Sequence, residues 1–140
     1  MNDLIFRQVR ILDGSGGAEF IGDVSVRDRR INEVGTVTEP LAPSGREIVA
    51  DGAVLCPGLI DTHAHDDGAF FRHPGMEFKL SQGVTTVVSG NCGFSAIPAD
   101  PTKDSVAASG GILAGLEGEF TDLDGYYAAA LSRQPAINNM

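Results

Sequence analysis

Pro57-Gly58-Leu59-Ile60-Asp61-Thr62-His63-Ala64-His65-Asp66-Asp67 begins as a buried strand would and ends in two histidines and two carboxylates. Val54-Leu55-Cys56, just before it, is apolar as well. Successive strand residues point to opposite sides, so Asp61, His63 and His65 share one face and Ile60, Thr62 and Ala64 the other. Two histidines so placed lie ~7 Å apart along the backbone, and their imidazoles can converge on one metal ion. The same spacing also suits two histidines that only make hydrogen bonds at a strand end. Placement favours the metal. The pair closes an apolar strand that opens a strand–helix–strand unit, and parallel sheets and barrels build their sites at that end of the strands.

Downstream, the pattern predicts a helix over Pro74 to Gln82, with Pro74 in its first turn and Gly83 just past its end. The β-branched run Val84-Thr85-Thr86-Val87-Val88 suits a parallel strand covered on both faces. It leads into Ser89-Gly90-Asn91-Cys92-Gly93-Phe94-Ser95, where Gly90 and Gly93 let the backbone bend around Cys92. A thiol at this point, beside His-x-His, is a candidate thiolate ligand, and histidine with cysteine suits zinc. The alternative is a free cysteine packed as a small hydrophobe, which is how Cys56 is read. His73, between strand and helix, is read as a loop residue. Ser89 to about Thr121 is Gly-rich and mostly irregular. Thr121-Asp122-Leu123-Asp124 resembles a capping box ahead of a helix from Asp122 to about Arg133, stopped by Pro135. Ala136 to Met140 reads as the start of another strand.

Upstream, residues 1–56 read as a small antiparallel β module. Leu4-Ile5-Phe6 and Val9-Arg10-Ile11-Leu12 are β-prone, and Asp13 to Gly17 is a turn. Asp23 to Arg27 alternates with period two. Asp28-Arg29-Arg30 turns into Ile31-Asn32-Glu33-Val34, Glu39 to Gly45 reads as a loop, and Arg46 to Ala50 and Ala53 to Leu55 add two strands.

The chain has 140 residues, enough for one ordinary domain, with 42% hydrophobic and 21% charged residues. A net charge of −9 argues against nucleic acid or an anionic membrane as partner. Two cysteines are too few for a disulfide framework. No run approaches the ~18 apolar residues of a membrane helix. A cytoplasmic, reducing setting is the resulting expectation.

Pro57 to His65 resembles the amidohydrolase superfamily signature PG-[FLM]-ID-x-H-x-H. Asp66-Asp67, Met76 and Ser81-Gln82-Gly83-Val84-Thr85-Thr86-Val87-Val88-Ser89-Gly90-Asn91-Cys92-Gly93 resemble its N-acyl-D-amino-acid deacylase (D-aminoacylase) group. The resemblance implies an α/β fold: a small β-sandwich module over residues 1–56, then the first βαβ portion of a metal-dependent TIM barrel over 57–140. It implies that His63 and His65 are the first-strand metal ligands and Cys92 the thiolate ligand of a tightly held Zn²⁺, with room for a second, weaker site. It also implies hydrolysis of the amide of an N-acyl-D-amino acid, a small-molecule substrate. Two more histidines and a catalytic aspartate are expected on later strands, so no catalytic residue is assigned here. A barrel needs ~250 residues. The chain is therefore expected to be the N-terminal piece of a longer enzyme, inactive alone and prone to associate with itself or with the remainder. Two rival readings are a dihydroorotase-, hydantoinase- or dipeptidase-like hydrolase and a non-catalytic interaction module.

Overall fold

Ten residues at the start of the chain, Asn2–Ile11, form one strand, β1, on which the first half of the protein is built. The computed structural model describes residues 1–99, Leu113, Leu116 and 120–140. They fall into two compact units, Met1–Pro57 and Gly58–Met140.

In the first unit, β1 is joined by β2 (Phe20–Arg27), β3 (Arg30–Gly35), β4 (Leu41–Val49) and β5 (Val54–Leu55). The sheet order is β3-β2-β1-β4, with β5 also on β1. The β2–β3 hairpin turns through Asp28 and Arg29, both at positive φ (51° and 62°), the backbone that matches the twist of the flanking strands. The two β-prone segments at the N-terminus are one strand with a register break between Phe6 and Val9. Gln8 sits in that break at φ 55°, and its amide donates to Asp23 Oδ1 at 2.9 Å. The expectation of an antiparallel module is corrected, because β4 and β5 both run parallel to β1. They add to β1 before and after the Gln8 break, so the expected sandwich is here a single mixed sheet. The expected loop at Glu39 to Gly45 is corrected too: pairing begins at Leu41. Pro43 and Gly45 are accommodated because the β1–β4 register shifts between Asn2 and Leu4. Val9, Ile11 and Val24 form the core, with Phe6, Ala50 and Leu55 against it.

The second unit holds β6 (Leu59–Asp61), β7 (Val84–Val87) and β8 (Asn138–Asn139), in that order and all parallel. Three helices are described: α1 (Ala69–Arg72), α2 (Glu77–Leu80) and α3 (Leu123–Ser132). Of the helix expected over 74–82 only α2 is helical, and α1, which precedes that range, was not expected. Pro74 lies between them, and Met76 enters α2 from the left-handed region at φ 47°. α2 ends at Leu80 with Ser81 as its C-cap, two residues short of the expected end, and Gly83 follows at φ 77°. The α3 N-cap is Asp122, one residue later than the capping-box reading, and it accepts from the Gly125 amide at 2.8 Å. The terminal segment is a strand, β8. The irregular stretch expected from Ser89 to Thr121 lies mostly outside the described residues; its beginning contains a single 3₁₀ turn, Asn91–Gly93. The core comprises Ala64, Phe70, Phe71, Met76, Val87, Ala96, Tyr126, Ala130 and Ile137. Phe71 stacks on Phe120 at 5.7 Å and meets the edge of Tyr126 at 5.8 Å. A fully buried phenylalanine such as Phe70 contributes about 1.5–3 kcal/mol by burial.

Candidate metal centre

β6 stops at Asp61, four residues short of the strand expected through His65. The chain nonetheless stays beside β7: Val88 N donates to Asp61 O at 2.8 Å and Ala64 N to Val88 O at 3.0 Å. The alternation of sides consequently survives the end of the strand. Ala64 is buried in the core, while His63 and His65 leave on the other side.

Cys92 is presented by the turn after β7. Gly90 and Gly93 take φ 79° and 76°, and Cys92 itself lies in the left-handed region at φ 57°, ψ 21°. Asn91 fixes this turn to both strand ends, its Nδ2 donating to Val88 O at 2.8 Å and to Ala64 O at 3.3 Å. As a result His63 Nε2 lies 3.1 Å from Cys92 Sγ. One donor atom from each of His63, His65 and Cys92 falls within 4.8 Å of the others. The His63 and His65 rings are 5.4 Å apart, and Phe94 stands edge-on to His65 at 6.0 Å.

The cluster fits a zinc ion. Bond lengths of ~2.3 Å to sulfur and ~2.0 Å to nitrogen place tetrahedral donors ~3.5 Å apart, comparable with the 3.1 Å between His63 Nε2 and Cys92 Sγ and inside the 4.8 Å that bounds all three. His65 Nδ1 is also buried without a hydrogen-bond partner, and such an atom calls for an explanation.

The third histidine and the second cysteine of the sequence are not among the three grouped residues. His73 is exposed and faces Phe78 edge-on at 6.4 Å. Cys56 is exposed, which corrects the reading of it as a packed small hydrophobe. Asp61 shares a side with the histidines in the alternation, but its carboxylate is used elsewhere. Oδ1 accepts from the His63 amide at 3.2 Å and Oδ2 meets Lys79 Nζ at 2.7 Å. Lys79, followed by the His63 amide, holds the Asp61 carboxyl below the ordinary carboxylate range.

Sequence reasoning noted Asp67 only as a motif residue and missed Lys79, Tyr126 and Asn139. Burial pushes the Asp67 carboxyl upward, against the Ala96 amide that donates to its Oδ1 at 3.3 Å. The Tyr126 hydroxyl donates to Asp67 O at 3.2 Å and accepts from Asn139 Nδ2 at 3.1 Å. The one available signal was a lysine inside the apolar run Met76-Glu77-Phe78-Lys79-Leu80.

Two imidazoles and a thiol are a donor set that suits zinc, and they are grouped at the carboxyl ends of parallel strands, where such folds build their sites. The Amidohydrolase family profile matches residues 46–129, and the chain belongs to that family. The N-acyl-D-glutamate deacylase of Alcaligenes xylosoxydans xylosoxydans is 41% identical over 136 residues, covering 97% of this chain and 27% of that protein. The N-acyl-D-aspartate deacylase of the same organism is 47% identical over 96 residues, 69% of this chain and 19% of that protein. The chain thus spans about a quarter or less of these relatives. The solved N-acyl-D-glutamate deacylase from Bordetella bronchiseptica, complexed with zinc and a phosphonate inhibitor, superimposes with a TM-score of 0.83 at 38% identity, over 99% of this chain and 28% of that one. A D-aminoacylase structure concerned with a binuclear metal centre gives 0.76 at 37% identity, over 99% and 29%. The α/β fold expected from the sequence is the fold of these neighbours. No helix among the described residues is long and apolar enough to cross a membrane.

Proposed function

We propose that the chain supplies the first zinc ligands of an enzyme that hydrolyses N-acyl-D-amino acids to a carboxylate and a free D-amino acid. The observation that carries this is the convergence of His63, His65 and Cys92 within 4.8 Å at the ends of β6 and β7. The likeness to N-acyl-D-glutamate and N-acyl-D-aspartate deacylases supports the substrate class. These three residues would hold the ion, and bound zinc lowers the pKa of water towards ~7 and polarises the scissile carbonyl. The Cys92 thiolate would bring negative charge to the ligand set, and the Asn91 contacts fix where it is delivered. Phe94 shields one edge of His65 from water.

The chain alone is expected to bind zinc weakly and to lack deacylase activity, because its described residues offer three of these ligands and no assigned acid or base. β6 is an outer strand of its sheet, and its exposed Leu59 and Ile60 favour self-association or pairing with further chain. Zinc titration of the chain and of Cys92→Ala tests the reading. At least a ~10-fold loss of affinity is expected in the variant, and equal affinity in both would overturn the ligand assignment.

A further inference from the structure

Lys79 is tied to both flanks of the His-x-His motif. Its side chain is only 17% exposed, and Nζ lies 2.7 Å from Asp61 Oδ2 and 2.9 Å from Asp66 Oδ2. Asp61 precedes His63 by two residues, and Asp66 follows His65 directly. The second Asp61 oxygen accepts from the His63 amide at 3.2 Å. One ammonium group on α2 thereby ties down both ends of the segment that carries the two histidines.

Two carboxylates drawn together with no cation between them repel, and each is relieved by turning towards any other positive charge. Beside two imidazoles and a thiolate, the nearest such charge is a bound divalent ion. Carboxylate oxygens are competent zinc ligands and are the natural donors of harder ions. Lys79 fills the position that would otherwise drive Asp61 and Asp66 towards the metal.

We propose that Lys79 is a positioning residue that clamps Asp61 and Asp66, aims His63 and His65 at Cys92, and keeps both carboxylates out of the metal's coordination shell. This inference rests on the metal-centre reading above. It assigns Lys79 no contact with substrate or metal.

Cobalt(II) is the probe, because its visible spectrum reports coordination number and thiolate ligation directly. The wild-type chain, Lys79→Met, Lys79→Arg and Asp66→Asn are titrated with cobalt, and far-UV circular dichroism checks that each is folded. Wild type should show a thiolate-to-cobalt band and the intense visible absorption of four-coordination. Lys79→Met should bind cobalt ~10-fold or more weakly, with weaker visible absorption as carboxylate oxygens enter the shell. Lys79→Arg should recover most of the affinity and the wild-type spectrum. Asp66→Asn leaves the Lys79–Asp61 pair in place and should lose a few-fold. It carries the test if Lys79→Met fails to fold, and wild-type binding and spectrum in Asp66→Asn would then overturn the clamp. A wild-type cobalt band left unchanged by Lys79→Met overturns the role of Lys79 alone. The absence of any thiolate band in the wild-type chain overturns the metal-centre reading itself.

Discussion

The two units of this protein treat their polar groups in opposite ways. In the first, charged side chains on neighbouring strands are paired. Arg7 bridges Asp23 and Glu47 at 2.7 and 3.0 Å, and Arg10 meets Glu19 at 2.7 Å. Glu33 gathers the hydroxyl and amide of Thr38 at 2.6 and 3.1 Å and the Glu39 amide at 3.2 Å. In the second unit, buried polar atoms are left over. His65 Nδ1, Asp66 Oδ2, Asp67 Oδ2, Ser89 Oγ and Asn139 Oδ1 lack hydrogen-bond partners among the described residues. Asp66 Oδ2 still has its ion pair with Lys79; the other four do not. All five residues lie just past β6, just past β7 or at the end of β8. Saturated polar groups stabilise a scaffold, whereas unsatisfied ones collected at one end of a parallel sheet call for an explanation, which the proposed metal site supplies for His65 Nδ1.

The comparison can be broken most forcefully at the core of the second unit. Phe70, 1% exposed, is expected to cost about 3–5 kcal/mol when replaced by alanine. Hydrogen exchange should show the loss in the amides of β6, β7 and α3. Equal loss across β1 to β3 would show that the two units do not respond separately. Next in size is the ligand set. His63→Ala should weaken zinc binding at least ~10-fold while leaving the unfolding midpoint of the metal-free chain close to wild type. A large fall in metal-free stability would recast His63 as a structural residue.

Acid sharpens the contrast from the other side. The Thr38 hydroxyl and amide pull the Glu33 carboxyl down from 4.5 to about 2. A depressed carboxylate contributes stability above its unfolded pKa, and that contribution disappears as pH falls through its folded value. The difference in thermal midpoint between wild type and Glu33→Gln should therefore be full above pH 4.5 and shrink towards pH 2. A difference independent of pH would remove the ionised carboxylate from the explanation. The smallest effect is expected at Arg10, whose pair with Glu19 is open to solvent. Arg10→Ala should leave the unfolding midpoint unchanged, and a clear drop would show that the strand-surface pairs matter more than exposed ion pairs usually do.

The parts of the site set by local backbone were legible in the sequence. Alternation placed His63 and His65 on one side even though the strand stopped at Asp61, because two further inter-strand hydrogen bonds preserve the alternation. The glycines around Cys92 announced a tight turn, and positive φ at Gly90, Cys92 and Gly93 delivers it. The parallel pairing of β6 and β7 followed from their apolar and β-branched runs, and Ala136 to Met140 was legible only as the start of a further strand. What stayed hidden depends on contacts between distant residues. The parallel addition of β4 and β5 to β1 leaves no local pattern. The Gln8 break joins what look like two strands. Lys79 acquires its place only when α2 brings it against Asp61, 18 residues away in the chain. α1 is four residues long and carries too little periodicity to register.

The left-handed backbone at Cys92 narrows what evolution or an engineer could put there. At φ 57° a β-branched side chain is strained, whereas aspartate and asparagine adopt this region several times more readily than most residues. Among metal-binding replacements, aspartate is therefore the one that this turn accepts with least distortion. Exchanging thiolate for carboxylate at position 92 would shift the preference from soft, thiophilic ions towards oxygen-seeking ones such as manganese. On the proposed zinc-ligand role of Cys92, a single codon would thus separate two metal preferences on the same loop.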